Sequence, residues 1–449
     1  MYVDPLGFDQ FYGRIAIATA ALTHALFATF IVGSSFAGAV VQTIGYLRGH
    51  RSFERLARLI AFTLIFSTAA VSFFGVILVF SLNIFWPHFW STLFRIMFWP
   101  LLLEAGFFLG EAVFAYSWYY TWDLPGLQGP KRRWHLALGW GAAACSYIAM
   151  FMIDAVASFM LTPQAPEPLW HAILNPTVGS LHVHRIFGNL AWTGLALAAI
   201  CAVGWLRART STDGAFYRWA ATVCFWGGFA ALLVMPAIGY HYLLNVRYNQ
   251  PQAFHTLMLG DRSWLFDLVA LLYSLLLVLG SVYIWSIVRR GAPDQSPSRV
   301  ILPWSLGFMT MAGLVFAMPY HIQHVPFART ITDVAVNPWG KMQPYKYFAM
   351  AVLVSFGFTN WVLLSRSFSG QWSAWRSSAG ALRDRVNPRL LLALSLCAML
   401  TMLSMGWARE SSRAYNGYLI YGVMRLSDEQ STYRAPDDGP SEVSDTNHN

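Results

Sequence analysis

Charged residues are scarce in this sequence. Only 11% of the 449 residues are Asp, Glu, Lys or Arg, whereas 56% are hydrophobic. A soluble domain of this size would need about a quarter of its residues charged to cover its surface. The shortage therefore excludes a soluble globular protein. Because apolar runs of roughly 20 residues recur along the chain, and each can cross a bilayer, the sequence indicates a polytopic membrane protein.

Cysteine is also rare, and its placement indicates no chemistry. The cysteines lie singly inside apolar runs, so they form neither a CxxCH haem-attachment motif nor a metal-type pair. We interpret them as small packing residues. They are Cys145, Cys201, Cys224 and Cys397.

The apolar runs predict an all-α membrane protein with about ten transmembrane helices in four-helix-bundle-like units. We predict one integral membrane domain over residues 1–425. The remainder, 426–449, has almost no large apolar side chains and should be a disordered polar tail. The predicted spans are 14–46, 54–84, 93–121, 134–160, 183–206, 218–240, 264–288, 300–318, 346–365 and 389–407.

Lys and Arg gather in alternate loops, which is the pattern of loops that face the cytoplasm. The net charge of +9 therefore reflects topology and does not indicate a nucleic-acid partner. Both termini should lie on the outer side, and the N-terminus shows no pattern of a removable signal peptide. The basic loops are 46–58, 130–135, 207–218, 289–299 and 366–385.

Few ionisable residues fall inside the predicted spans, and such residues usually face a partner, a cofactor or a water path. Glu104 and Glu111 are seven residues apart on one helix, so they share a face and lie about two turns apart. They are either packing carboxylates bonded to neighbours or part of a proton path or metal-cofactor site. The full set is His24, Arg95, Glu104, Glu111, Asp154 and Asp267.

Two histidines fall at similar depth near the outer face. His24 lies nearly three turns into the first span, and His184 opens the fifth. Each is either a satisfied core residue or an axial ligand of haem, for which imidazole is a common ligand. His182 and His184 differ by about 200° around a helix, so they cannot face one cofactor together.

Several stretches resemble, in their order along the chain, subunit I of the cytochrome bd quinol oxidase family. The resemblance covers about the first 240 residues and resumes at about 346–424. The stretch with His184 matches the family most strongly, whereas residues 75–86 match a degenerate form of the family's motif. The stretches are GRIAIATAALTHALF, GVILVFSLNIFW, LLLEAGFFLGEAVFAYSWYYTWD, ASFMLTP, LNPTVGSLHVHRIFGNLAWTG and GWARESSRAY.

The resemblance implies roles for particular residues. His24 would ligate the iron of a high-spin haem and His184 that of a low-spin haem b, while Arg185 would pair with a haem propionate. Glu104 and Glu111 would deliver protons, and Glu111, which aligns better, is also a candidate iron ligand. Trp407 would belong to the late cofactor-binding segment, GWARESSRAY.

The resemblance also implies cofactors, partners and location. One to three haems are expected, haem b among them, with a haem d or another high-spin haem as a candidate. The partner would be a membrane protein similar to the family's subunit II, or other subunits of a respiratory complex. The location would be the bacterial inner membrane, and residues 1–425 would form the haem-binding domain.

The sequence departs from the family pattern at several positions. The family's Arg-x-Met, whose methionine is the second low-spin ligand, matches Ala351 and Leu353, and a family glutamate matches Ser404. The long polar quinol-binding loop is absent, and spans 264–288 and 300–318 stand in its place. Candidates for the second low-spin ligand are Met350, His255, His321 and His324.

Three functions remain open from the sequence. The first is a divergent terminal oxidase subunit that passes electrons from an outer-side donor, such as a periplasmic cytochrome c, to oxygen. The second is a non-catalytic haem conduit that exchanges electrons with quinone or a periplasmic cytochrome inside a larger respiratory complex. The third is a structural subunit or transporter without haem. Haem content and the binding of oxygen-like ligands separate them.

Overall fold

The computed structural model describes residues 10–124, 130–291, 298–318, 344–370 and 384–431, and most of them are helical. Among these residues nine helices are long and apolar enough to cross a membrane. A further apolar helix, Val300–Phe316, is shorter. The predicted fold class, an all-α polytopic membrane protein, is confirmed.

The elements follow one another in this order: α1 (Gln10–Arg48), α2 (Arg51–Phe85), α3 (Pro87–Ile96), α4 (Phe98–Tyr120), α5 (Pro130–Phe159), α6 (Leu169–Ile173), α7 (Val178–Arg207), α8 (Ser211–Asn249), α9 (Pro251–Met258), α10 (Ser263–Gly291), α11 (Ser298–Phe316), α12 (Pro344–Gly370), α13 (Val386–Ala414), β1 (Tyr418–Ile420), β2 (Met424–Arg425) and α14 (Leu426–Ser431).

The long helices form two groups that share α1 and α7 as their boundary. In the first group α1 packs on α2 and α5, and α4 packs on the same two helices, which closes a four-helix bundle. In the second group α7 packs on α8 and α13, α13 packs on α10, and α12 packs on α8 and α10. Helix α11 lies against α10 and α12. Large buried side chains such as Trp118 in the first group and Phe225 in the second fill the interiors.

The predicted span 93–121 is wrong at its start. The chain forms the short helix α3, is interrupted at Met97 (φ −106°, ψ 29°), and begins α4 at Phe98. Pro100 explains the interruption, because its ring would clash with the carbonyl of Ile96 in a continuous helix. Arg95, which we expected inside the span, therefore lies on α3 and is exposed.

Pro236 lies within α8 without ending it. A proline deprives the carbonyl four residues earlier of its helical donor, here that of Leu232. The hydroxyl of Tyr273 on α10 donates to that oxygen at 2.9 Å. This bond satisfies a backbone group that would otherwise have no partner in hydrocarbon.

Three of the basic loops meet at one end of the bundle. Arg55, near the start of α2, donates to Asp213 at 2.9 Å, which joins α2 to the start of α8. Arg385 donates to the carbonyl of Leu206 at 2.7 Å, which joins the start of α13 to the end of α7. These contacts bring parts of loops 46–58, 207–218 and 366–385 together, and the cytoplasmic orientation of the basic loops stays a prediction.

A small cap covers the opposite end. Strands β1 and β2 pair antiparallel, with Ile420 opposite Met424, and Gly422 turns the chain at φ +67°. The Glu429 carboxylate on α14 accepts from the backbone N–H groups of His88 (3.2 Å) and Phe89 (2.7 Å) at the start of α3. Burial raises the pKa of the Glu429 carboxyl, and these donors counteract that rise.

The cap also extends the ordered chain beyond our prediction. Residues 426–431, assigned to the polar tail, form α14 because Glu429 has buried donors to bind. Residues 432–449, and the outer segment that carries His321, His324 and Trp339, lie outside the described residues.

Helices α7 and α8 cross at a pair of glycines, which gives a direct test of the packing. A Cβ on Gly228 would lie 2.9 Å from the Cα of Gly194, whereas a Cβ on the neighbouring Gly227 would meet nothing within 4 Å. We expect Gly228→Ala to destabilise the protein by about 1–3 kcal/mol, since the backbones must separate. Thermal unfolding in detergent should show a lower melting temperature.

Gly227→Ala is the matched control, with the same change one residue away in the same helix. It should leave the melting temperature equal or slightly higher, because alanine favours helix over glycine. Equal effects of the two substitutions would contradict the close crossing.

Candidate functional site

His24 on α1 faces α2 with one ring nitrogen engaged. Its Nδ1 lies 3.1 Å from the carbonyl oxygen of Val71. Because a carbonyl only accepts, Nδ1 carries the proton and Nε2 keeps its lone pair free. A carbonyl that fixes the ring and its tautomer in this way is the usual support of a metal-binding histidine. Gly75 makes room for the ring, since a Cβ there would lie 3.1 Å from its Cε1.

His184 on α7 faces α8. Its ring lies 5.7 Å from that of Tyr242, and a Cβ on Gly239 would lie 3.5 Å from its Cε1. Its Nδ1 is buried and has no hydrogen-bond partner among the described residues. An unpaired buried polar atom costs about 1–3 kcal/mol, so this ring fits a site that a bound group completes. Helix α7 begins at Val178, so His184 lies in its second turn and does not open it as predicted.

The two histidines lie at similar depth. Helices α1 and α7 are the first and fifth long helices and run in the same direction. The hydroxyl of Thr193 donates to the carbonyl of Phe30 at 3.3 Å, which aligns the two helices at that level. His24 precedes Phe30 by six residues and His184 precedes Thr193 by nine, so their levels differ by three residues, ~4.5 Å along a helix.

A buried carboxylate near His184, that of Asp154, was among the ionisable residues noted in the sequence, but its partners were not predicted. Asp154 on α5 has a side chain with 0% exposure, and its Oδ2 lies 2.7 Å from Nδ1 of His182. Its Oδ1 pairs with Nη1 of Arg185. Arg185 thus has a protein carboxylate as a partner. Its contact with a haem propionate stays a prediction, and that contact would use the guanidinium nitrogens other than Nη1.

Asp154 was visible in the sequence as a lone acid within an apolar span. Its partners could have been inferred from His182 and Arg185, because these three-apart residues share a face of α7. An acid in hydrocarbon requires such partners.

Glu111 on α4 is buried, and its Oε1 has no hydrogen-bond partner in the described part of the chain. The buried Ser146 hydroxyl on α5 is close enough to interact with this carboxylate but forms no hydrogen bond of normal geometry with it. Glu104 is half-buried on the same helix. The first bundle therefore holds His24 and both glutamates, while His184 on α7 faces α8 in the second group. An unpaired carboxylate oxygen fits either a bound metal group or a proton carrier.

A second buried polar network also escaped the sequence analysis. Nε2 of Gln42 lies 2.6 Å from Nδ1 of His135, and the indole of Trp118 donates to Oε1 of Gln42 at 2.9 Å. Nε2 of His135 lies 2.9 Å from the carbonyl of Trp118. The network is closed on itself, so we assign it to the packing of α1, α4 and α5. Gln42, an amide within an apolar helix, was the available signal.

The departures from the family pattern have clear structural positions. Leu353 is fully buried in the apolar core of the second group, and Met350 packs beside that core. His255 is exposed on α9. Ser404 is buried on α13, and Gly406 lies against Leu22 of α1, two residues before His24.

Trp407 is half-exposed and packs edge-on against Trp264 of α10, with ring centroids 5.3 Å apart. It therefore faces away from α1, and its assignment as a cofactor-binding residue stays a prediction.

Fold and site together define a polytopic helical membrane protein with isolated histidines and buried carboxylates, the class that includes membrane-bound respiratory cytochromes. The family model of cytochrome bd terminal oxidase subunit I matches residues 12–259, more than half of the chain. The chain belongs to this family, and the resemblance seen in the sequence is confirmed. It is therefore a subunit of the respiratory oxidase type, and its family binds haem.

A solved structure has the same fold. The structure of bd oxidase from Geobacillus thermodenitrificans is similar at a TM-score of 0.50 and 16% identity, over 91% of this chain and 98% of that chain. At this identity the likeness concerns the fold alone. A comparison with curated proteins finds no match. The family match ends at residue 259, before α10, so α10 and α11, which we expect in place of the family's quinol loop, lie outside it.

The space beside His24 can be tested through Gly75. We expect Gly75→Val to displace the imidazole, because a Cβ alone would lie 3.1 Å from its ring. The purified protein should then lose a high-spin haem signal in its absorption spectrum, while a low-spin signal persists. Gly106→Val on α4 is the control, since a Cβ there meets nothing within 4 Å. Equal spectra for the two variants would contradict the packing of His24 against Gly75.

Proposed function

We propose that this chain is a divergent bd-type oxidase subunit that holds a high-spin haem at His24 and a low-spin haem b at His184. Electrons would enter from a donor on the outer side and reach oxygen near His24. The observation that carries the proposal is the geometry of His24: its Nδ1 is occupied by a backbone carbonyl, and its Nε2 has no hydrogen-bond partner among the described residues. The Nδ1 of His184, which likewise has no partner in that part of the chain, supports the second site.

Haem, when bound, supplies one-electron chemistry and, at an iron with an open position, a place for oxygen. The protein's own part is to orient the two imidazoles, to exclude water and to deliver protons. Stacked rings such as Phe27 and Phe74, 5.8 Å apart beside His24, keep the region apolar. Glu111 and Glu104 hold protons on one face of α4, with Glu111 the inner of the two and a candidate iron ligand.

The exposed apolar surface and the absence of the quinol loop indicate the partners of this chain. Helices α2 and α4 expose large apolar side chains such as Phe66 and Trp99, which suit lipid or a membrane partner similar to the family's subunit II. Because the quinol loop is absent, the donor is a periplasmic cytochrome c or a quinone bound elsewhere. We place the basic loops in the cytoplasm of a bacterial inner membrane, with both termini outside.

A second function, a haem conduit without oxygen chemistry, is favoured by two observations. Leu353 lies fully buried in an apolar core at the position of the family's methionine ligand. Ser404 replaces a glutamate near α1. In this function both haems would be closed to external ligands, and electrons would pass to quinone or another subunit.

A reduced-minus-oxidised spectrum of the purified complex, repeated with carbon monoxide, tests the proposal. Carbon monoxide should shift part of the haem signal, because a high-spin iron at His24 has an open position. A haem signal that carbon monoxide leaves unchanged would favour the conduit. The absence of any haem signal would overturn both functions.

The ligand assignment on α7 is tested by a matched pair. We expect His184→Ala to abolish a low-spin haem signal. His182→Ala should retain it, because His182 bonds to Asp154, which keeps Arg185 as a partner. Haem content and low-temperature spectra of the two variants measure this difference. Loss of the signal in both would reject the assignment.

A further inference from the structure

Burying the Asp154–Arg185 pair is unfavourable in free energy if its only role is structural. Transferring two charges from water to a buried site costs free energy that their attraction only partly repays. The Asp154 side chain has 0% exposure, and that of Arg185 has 21%. Two apolar side chains would join α5 to α7 without this desolvation penalty. The presence of the charges therefore indicates a role beyond packing.

The pair lies next to His184, one of the two histidines proposed as haem ligands. Arg185 follows His184 directly in α7, and its charge acts on the rings of both His24 and His184. The charge of Asp154 acts on His184 and on Tyr242, the ring beside it. The low dielectric of a membrane interior strengthens such interactions relative to water.

Other charged groups lie on this side. Arg409 on α13 donates to the carbonyl of Ala157 at 2.9 Å, one turn from Asp154, and its charge also acts on Tyr242. Glu410 pairs with Arg413 on its own helix. His182 shares the carboxylate of Asp154 but lies on a different side of α7 from His184. Arg185 is therefore the cation that follows His184 directly in α7 and has a buried carboxylate as its partner.

We infer that the Asp154–Arg185 ion pair sets the reduction potential of the haem proposed at His184, with Asp154 as a positioning residue that acts through Arg185. The inference rests on the proposed function. Reduction adds one electron to the iron and so removes one positive charge. A fixed cation nearby favours the reduced state and raises the potential, and the Asp154 carboxylate offsets part of this effect.

Charge removal at the two positions should act in opposite directions. Asp154→Asn leaves Arg185 uncompensated, so the midpoint potential of the low-spin haem should rise. Arg185→Gln leaves the carboxylate, so the potential should fall. The double variant should return it towards the wild-type value, and Arg185→Lys, which keeps the charge, should stay near it. A role in packing alone would not reverse sign between the first two.

The experiment is a spectroscopic redox titration of the purified complex, with haem content and melting temperature measured in parallel. Asp123→Asn is the control, because Asp123 forms an exposed pair with Arg58 at the other end of the bundle. It should not move the potential.

The outcomes separate the two hypotheses. A wild-type protein without haem overturns the proposed function, and this inference with it. Bound haem with shifts of the same sign, or with no shift, overturns the inference alone. If Asp154→Asn or Arg185→Gln loses its haem, the double variant and Arg185→Lys decide the question. Midpoint potentials near the wild-type value in these two variants support the inference. Loss of haem in both shows that the pair serves folding and overturns the inference.

Discussion

The hydrocarbon interior of a membrane offers no hydrogen-bond partners, and this constraint governs every polar group in the structure. The carbonyl freed by Pro236 receives the hydroxyl of Tyr273 from another helix. The Asp154 carboxylate has one donor for each of its oxygens. Oε1 of Glu111 and Nδ1 of His184 are among the few buried polar atoms that lack a partner in the described residues. Both belong to residues that we propose as sites for a cofactor or a proton.

Much of the fold could be predicted because it depends on composition. The length of the apolar runs predicted the approximate number and position of the spans. The spacing of the basic loops predicted that these loops alternate between the two sides of the membrane. The break before α4 depends on one residue, Pro100, whose clash acts four positions upstream, and a hydropathy pattern does not register it. The additional helix α14 depends on a contact between residues that are more than 300 positions apart, Glu429 and Phe89. No local pattern contains such a contact.

The candidate site was also predictable only in part from the sequence. His24, His184, Glu104 and Glu111 could be selected because ionisable residues in apolar helices are few, and the family match covers all four. What they contact could not be predicted. The carbonyl of Val71 that holds His24 is a backbone group without a sequence signature, and the partnership of Asp154 with Arg185 required the packing of α5 on α7. Sequence thus identifies candidate groups, whereas packing determines which of their atoms stay free.

The cap of β1, β2 and α14 bears on how the molecule is made. Its residues are the last ones that the structure describes, and they close over the end of α5 through the bond from the amide of Tyr421 to the carbonyl of Met160. A ribosome completes them only after all the long helices have been synthesised. Until then the ends of α5 and α8 that pack against Tyr418 and Tyr421 lack this cover. The cap can therefore close only over helices that have already been made.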